Sequence, residues 1–295
     1  MAPALLAAGA LGLANCGTPA AKADAAGPAR LPGHVAAAVA RARASQAPQP
    51  PSAPATIGRA QLTTVTELPA AARFEVPQIV LPNAAASHRI NTVLVQLLFA
   101  DAEPGRPRPL GAAQAIERAA AEYEANDQVG IFGTSFEVLC NQQNVLSLAL
   151  TTEYSGAYPW SATRHATFDL RTGRQLVLAD LLADTLALRR RWHTRLNRRL
   201  AAYQQEVARD YKPDADAWAT VREYTGWSDT LRQVRPARRP PLREFALTAR
   251  GLVLYTSFWF PHPAMALAPP DAYLFSYASL RPWLAPCGVL QGWPE

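Results

Sequence analysis

The chain has 295 residues, 49% of them hydrophobic, and a formal net charge of +6 at pH 7. That is enough apolar surface for one large domain or two small ones. The charge comes from arginine, since lysine occurs only at Lys22 and Lys212. Without zinc-spaced cysteines, an RNP-like aromatic motif or a helix-turn-helix signature it excludes a nucleic-acid reader, while leaving room for anionic lipid or cell-wall polymers.

The first sixteen residues read MAPALLAAGALGLANC. Leu5 to Leu13 has the length of a signal-peptide core and is too short to span a bilayer. Leu13-Ala14-Asn15-Cys16 looks like a bacterial lipobox, although Asn15 stands where a small residue is usual and no cation precedes the apolar run. Residues 1–16 are therefore expected to be an export signal, with Cys16 as the lipidation site. Residues 17–56 are rich in Ala, Pro, Gln and Ser and poor in aromatics. Such a segment cannot bury enough surface to offset its ordering entropy, and it is expected to be a disordered tether. No later run reaches the roughly 18 apolar residues that a membrane helix needs.

From residue 57 the pattern becomes that of a folded domain, 57–295, with an optional division into 57–135 and 136–295. Ile57 to Pro69 and Phe74 to Val80 are strand candidates, and Pro77 and Pro82 suggest an edge position for the second. Ile90, Val93, Leu94, Leu97 and Leu98 have helical spacing, and an Ala- and Glu-rich helix is expected from Leu110 to Asn126. Gly133 to Cys140 and Asn144 to Glu153 read as a hairpin. Ser161 to Leu170 alternates again and ends in the turn Asp169-Leu170-Arg171-Thr172-Gly173. Asp180 to Asp210 is helical with a break near Asp184, its buried stripe running Leu188, Trp192, Leu196, Leu200, Tyr203, Val207. Arg191, Arg195, Arg198 and Arg199 share another face, expected to be solvated. Glu244 to Leu247 and Gly251 to Phe258 form a second hairpin, and Ala272 to Tyr277 a last strand. Strands in two groups with intervening helices predict an α+β fold, an antiparallel or mixed sheet with helices packed on one face.

Three stretches in this order resemble the ectodomain family shared by the anti-sigma factor RsiV and the peptidoglycan deacetylase PdaC. They are Asn144-Val145-Leu146-Ser147-Leu148 with Tyr154-Ser155-Gly156-Ala157-Tyr158-Pro159; Phe168-Asp169-Leu170-Arg171-Thr172-Gly173 with Leu178-Ala179-Asp180-Leu181-Leu182; and Phe245 to Tyr255 with Tyr277 to Leu284. Ser155 replaces a loop glycine of that family, Tyr158 stands where histidine is common, and the loop Phe260 to Asp271 is proline-rich. The resemblance implies an extracytoplasmic sensing or wall-associated module; in PdaC-like proteins catalysis belongs to a separate domain.

No motif in the chain supports catalysis. The five histidines form no H-E-x-x-H or H-x-H pair, so no metal is expected, and without a P-loop, G-x-G-x-x-G or G-x-S-x-G no cofactor or nucleophile elbow is expected either. Glu153 and Asp169 are the one carboxylate pair with a glycosidase reading, against the plainer one in which Asp169 shapes a turn. Binding residues are expected in two aromatic loops: Tyr158 and Trp160 in the first, Trp259, Phe260 and His262 as exposed contacts in the second. Cys140 lies in an apolar strand pattern, either as a buried thiol or bridged to Cys287. The expected function is a non-catalytic binding or sensing module at the cell envelope, recognising a protein or a wall glycan. A small carboxylate hydrolase and a purely structural lipoprotein are the alternatives.

Overall fold

The structure is a computed structural model, and it describes residues 58–67, 73–99, 111–211, 215–286, 288–290 and 293. The leader, the tether, Cys16 and Cys287 lie outside the described residues. Six strands, β1 (Gln61–Glu67), β2 (Arg73–Val80), β3 (Gly130–Gln142), β4 (Val145–Ser155), β5 (Trp160–Asp169) and β6 (Arg174–Gln175), form one sheet in sequence order. All its pairings are antiparallel except β2 with β3, so the sheet is mixed.

Helices α1 (Ala84–Leu98) and α2 (Ala112–Ala125) cover one face of this sheet. Asn83 starts α1 by accepting from the Ala86 amide at 3.2 Å, filling one of the donors a helix start leaves open. Ile90, Leu94 and Leu98 then meet Leu146, Leu148 and Leu150 of β4, every second residue of that strand. Each fully buried side chain contributes about 1.5–3 kcal/mol.

The prolines of β2 led to the expectation of an edge strand, but β1 is the edge and β2 lies inside it. The parallel contact with β3 covers only Arg73 and Phe74. Beyond it, the Glu75 amide and carbonyl are met by the Thr134 hydroxyl, and those of Ile79 by the Asn91 side chain of α1. Pro77 falls between them on the same flank, where no strand asks for its missing N–H.

The other face carries a second layer. After α3 (Leu178–Leu181), Asp184 caps the long α4 (Thr185–Asp210) by accepting from the Ala187 amide at 2.8 Å, which is the break expected near Asp184. There follow α5 (Ala215–Thr225), a small ribbon β7 (Trp227–Ser228) and β8 (Gln233–Val234), and a three-stranded sheet ordered β11 (Ala272–Phe275), β10 (Gly251–Tyr255), β9 (Glu244–Thr248). The α4 stripe Leu188, Trp192, Leu196 and Leu200 packs with Leu252, Leu254 and Phe275 of this sheet, and with Cys140 and Val145 of the large one. The two cores therefore share β3 and β4, and residues 135 and 136 lie inside β3. The Ser147 hydroxyl, 2.8 Å from that of Thr167, also accepts from the Leu247 amide at 3.0 Å and ties β9 onto the large sheet.

The arginine face of α4 is solvated at Arg191 and Arg198, as its spacing predicts, but Arg195 and Arg199 are half-buried. Arg195 and Arg199 donate to the Leu274 and Ala272 carbonyls on the open edge of β11, Arg199 at 2.6 Å. Their guanidiniums, with that of Arg191, lie over the rings of Phe275, Tyr273 and Trp283. An edge strand leaves carbonyls open, and the apolar arginine stems can cross the core boundary to reach them.

Candidate functional site

The turn after β5 shows what Asp169 does. It is buried, its carboxylate accepts from the Arg171 amide (3.0 Å) and the Thr172 hydroxyl (3.2 Å), and its carbonyl accepts from the Gly173 amide. Gly173 has φ +71°, and a Cβ there would come within 2.5 Å of the Ala86 carbonyl oxygen, so this turn seats α1 as well. Glu153 pairs with Ser161, eight residues along β5 from Asp169. At about 3.4 Å per residue the two are about 27 Å apart, beyond the roughly 5–10 Å that a glycosidase pair spans. The plain reading of Asp169 holds.

The two aromatic loops do meet. Residues 156–159 cap the β4–β5 hairpin, and Tyr158, 65% exposed, stacks on His262 with ring centroids 4.7 Å apart. His262 opens a 3-10 turn (His262–Leu267) in the β10–β11 connection. That connection is braced on the helices: the Tyr211 hydroxyl donates to the Ala266 carbonyl at 3.3 Å, and Phe260 lies 5.2 Å from Tyr224. Phe260, expected as an exposed contact, is only 5% exposed and anchors the loop instead. A proline-flanked loop needs an apolar foot to hold one position, and Phe260 supplies it. Trp259 next to it is 76% exposed, edge-on to Tyr224.

Trp160 goes elsewhere. It pairs with Tyr154 across the hairpin and stacks on it at 4.0 Å with the rings within 5° of parallel. Tyr154 alternates in step with Leu146, Leu148 and Leu150, so this stack belongs to the helix side of the sheet, opposite the Glu153 side.

The face that Glu153 shares is polar and was not legible as a site. Three cross-strand rows run over it: Glu137, Ala149 and His165; Ser135, Thr151 and Thr163; Gly133, Glu153 and Ser161. Thr151 and Thr163 hydroxyls lie 3.0 Å apart. Gly133 leaves room for Glu153, whose Oε2 would be 2.6 Å from a Cβ at that glycine. At the inner end the His165 ring stacks on Tyr255 at 3.4 Å. Glu244 Oε1 is 2.9 Å from His165 Nδ1 and accepts the backbone N–H of the same residue at 2.9 Å. A carboxylate at Nδ1 favours the tautomer with the proton there and orients the ring. Burial, then the nearby charges of Asp271, Glu137 and Glu244, push the Tyr255 hydroxyl above its ordinary pKa, so it remains a donor. A hydroxyl-and-carboxylate floor thus runs from the His165–Tyr255 stack to the Tyr158–His262 stack, about 13 Å over four strand residues before the hairpin tip.

Cys140 is buried in the second core, and burial pushes its thiol up to about 11. Cys16 and Cys287 lie outside the described residues, and with them the anchor and the bridge.

The architecture is that of an α+β module with a mixed six-stranded sheet, helices on one face, and a polar, aromatic-flanked surface on the other. The chain is similar to two solved structures. One is a member of the DUF3298 family from Bacteroides fragilis, 16% identical, covering 77% of this chain and 94% of that chain at a TM-score of 0.44. The other is a DUF3298 family protein from Pseudomonas aeruginosa, also 16% identical, covering 78% of this chain and 96% of that chain at a TM-score of 0.47. No family model matches the sequence, and no curated protein does.

Proposed function

We propose that this chain is an exported, non-catalytic binding module of the RsiV/PdaC type that holds a cell-envelope glycan across the polar face of its large sheet. The observation that carries this reading is the hydroxyl-and-carboxylate floor bracketed by two aromatic stacks, His165 with Tyr255 and Tyr158 with His262. Sugars present hydroxyls at their edges and apolar C–H faces above and below. A floor of Thr, Ser and Glu with rings at either end answers both. The separation of Glu153 from Asp169 argues against the hydrolase alternative. Of the three motif stretches, the first falls on β4 and the hairpin tip and the third includes β9 and β10, which bring Glu244 and Tyr255 to this face. Export rests on the leader and on the Cys16 lipobox, and a lipid on Cys16 would leave residues 17–56 as the spacer to the domain.

The test is co-sedimentation of the full chain with purified insoluble wall glycan, beside Tyr158→Ala and Thr163→Val. Retention of the wild type and at least tenfold weaker binding of Tyr158→Ala are expected. Equal retention of all three proteins, or release of reducing ends from the glycan, would overturn the reading.

A further inference from the structure

A cavity of about 490 Å³ opens between the end of α5, the β7–β8 ribbon and the turn that follows it. Arg222, Arg235 and Arg238 line it together with the hydroxyl residues Ser228 and Thr230 and the carboxylate of Glu223. The sequence gives no motif here, and the glycan face does not include it.

The three arginines are positioned in different ways. Arg222 is held by Asp229 at 2.7 Å, whose other oxygen accepts from the Trp227 indole at 3.0 Å. Desolvation opposes ionisation of Asp229, but the hydrogen bonds from Arg222 and Trp227 outweigh it, so the carboxylate stays charged and committed to that pair. Arg235 and Arg238 bracket a 3-10 turn (Pro236–Arg238). In a 3-10 turn residues three apart lie one above the other, so their side chains leave on the same side. The Arg235 amide donates to the Gly226 carbonyl at 3.0 Å, and the Arg238 amide to the Arg235 carbonyl at 2.8 Å. Gly226 has φ +67°, and a Cβ there would lie 2.5 Å from Cβ of Arg238. The bare glycine is what lets the Arg238 stem lie against the α5 terminus. Neither Arg235 nor Arg238 has an ion-pair partner among the described residues.

The surroundings do not neutralise them. Residues 185–243 hold thirteen arginines and one lysine against six carboxylates, more than the whole net charge of the chain. Arg191, Arg195 and Arg199 are spent on β11 and its rings. On α4, burial of His193, and after it the charges of Arg239 and Arg189, lower the His193 pKa.

We propose that this cavity is an anion site that takes a single phosphate group, with Arg235 and Arg238 as its principal ligands and Arg222 as a fixed third donor. Guanidinium forks match the tetrahedral oxygens of phosphate in paired hydrogen bonds, and the Ser228 and Thr230 hydroxyls supply neutral donors. The lining has three guanidiniums and two carboxylates, one of them bound to Arg222, so one phosphate balances it and a longer polyanion does not. The phosphate can belong to a lipid headgroup or be free in solution; the chemistry is the same.

The full chain is titrated with inorganic phosphate by calorimetry, and co-sedimented with phosphatidylglycerol and with phosphatidylcholine vesicles. The variants are Arg235→Gln/Arg238→Gln and, with the same charge lost elsewhere, Arg59→Gln/Arg250→Gln. A lipid headgroup source gives binding to phosphatidylglycerol vesicles alone, and a free-phosphate source gives a calorimetric isotherm. In either case the cavity pair loses at least tenfold in affinity and the distant pair less than twofold. Equal losses in the two pairs, or no binding to either probe, would overturn the proposal. Thermal melts of both variants within a few degrees of wild type show that the fold is unchanged.

Discussion

The two candidate surfaces are assembled in opposite ways. The glycan face is made of strand residues from four places in the chain: Ser135, Thr151 and Thr163 on the large sheet, and Tyr255 arriving from the small one. The arginine cavity comes from one short stretch, 219–238, folded back on itself around Gly226. A surface of the first kind depends on how the two layers dock; one of the second kind depends on its own turn and on α4, where Asn197 accepts from the Val234 amide at 3.0 Å. The two should therefore respond differently to damage.

The largest effect is expected where the layers meet. Trp192 is fully buried between α4 and the small sheet, edge-on to Tyr273 at 6.5 Å. Trp192→Ala should cost about 3–5 kcal/mol in a urea titration and weaken the glycan face more than the cavity. A loss below about 1 kcal/mol would mean that the layers are not joined there.

Glu244→Ala comes next. It leaves two half-buried donors of His165 without their acceptor, at a cost of about 1 kcal/mol. Glycan affinity should fall while phosphate affinity stays within twofold. If both fell together, the two faces would not be separable.

Tyr158→Ala should lower glycan affinity about tenfold and change stability by under about 0.5 kcal/mol, because the ring is mostly exposed. A shift in the melting temperature larger than a few degrees would recast Tyr158 as a structural prop.

The smallest effect concerns Cys140. As a thiol with its pKa raised to about 11, it is protonated in the folded chain at pH 10 while much of the unfolded population is ionised. The unfolded state then binds fewer protons, so stability falls as pH rises from about 8.5 toward 11. Site-resolved alkylation at pH 8 should leave Cys140 unlabelled until the protein is unfolded. If it stays unlabelled in denaturant and reacts only after reduction, the bridge to Cys287 is present.

Much of the fold was legible because its signals are local. The 169–173 turn, the Asp184 break and the α4 stripe each follow from residues within one or two turns of each other. Pro77 misled because what matters is which flank its missing N–H faces, and Asn91 of α1 decides that from outside the strand. Arg195 and Arg199 of α4 misled for a related reason: spacing shows that they share a face, but the open edge of β11 that they cover is about eighty residues away. In the candidate site, Tyr158 and His262 were singled out from their aromatic loops, and the structure stacks the two rings. The His165, Tyr255 and Glu244 group was not, since alternation along β5 marks His165 only as facing one side of a sheet and says nothing of what packs there.

Hydrogen–deuterium exchange of the full chain, with and without soluble wall-glycan fragments, tests the glycan face most directly. Slower exchange confined to 133–137, 151–165 and 255–262, with the fragments recovered at their original length, is the result expected. Protection that falls outside those segments, or fragments that come back shortened, would contradict it.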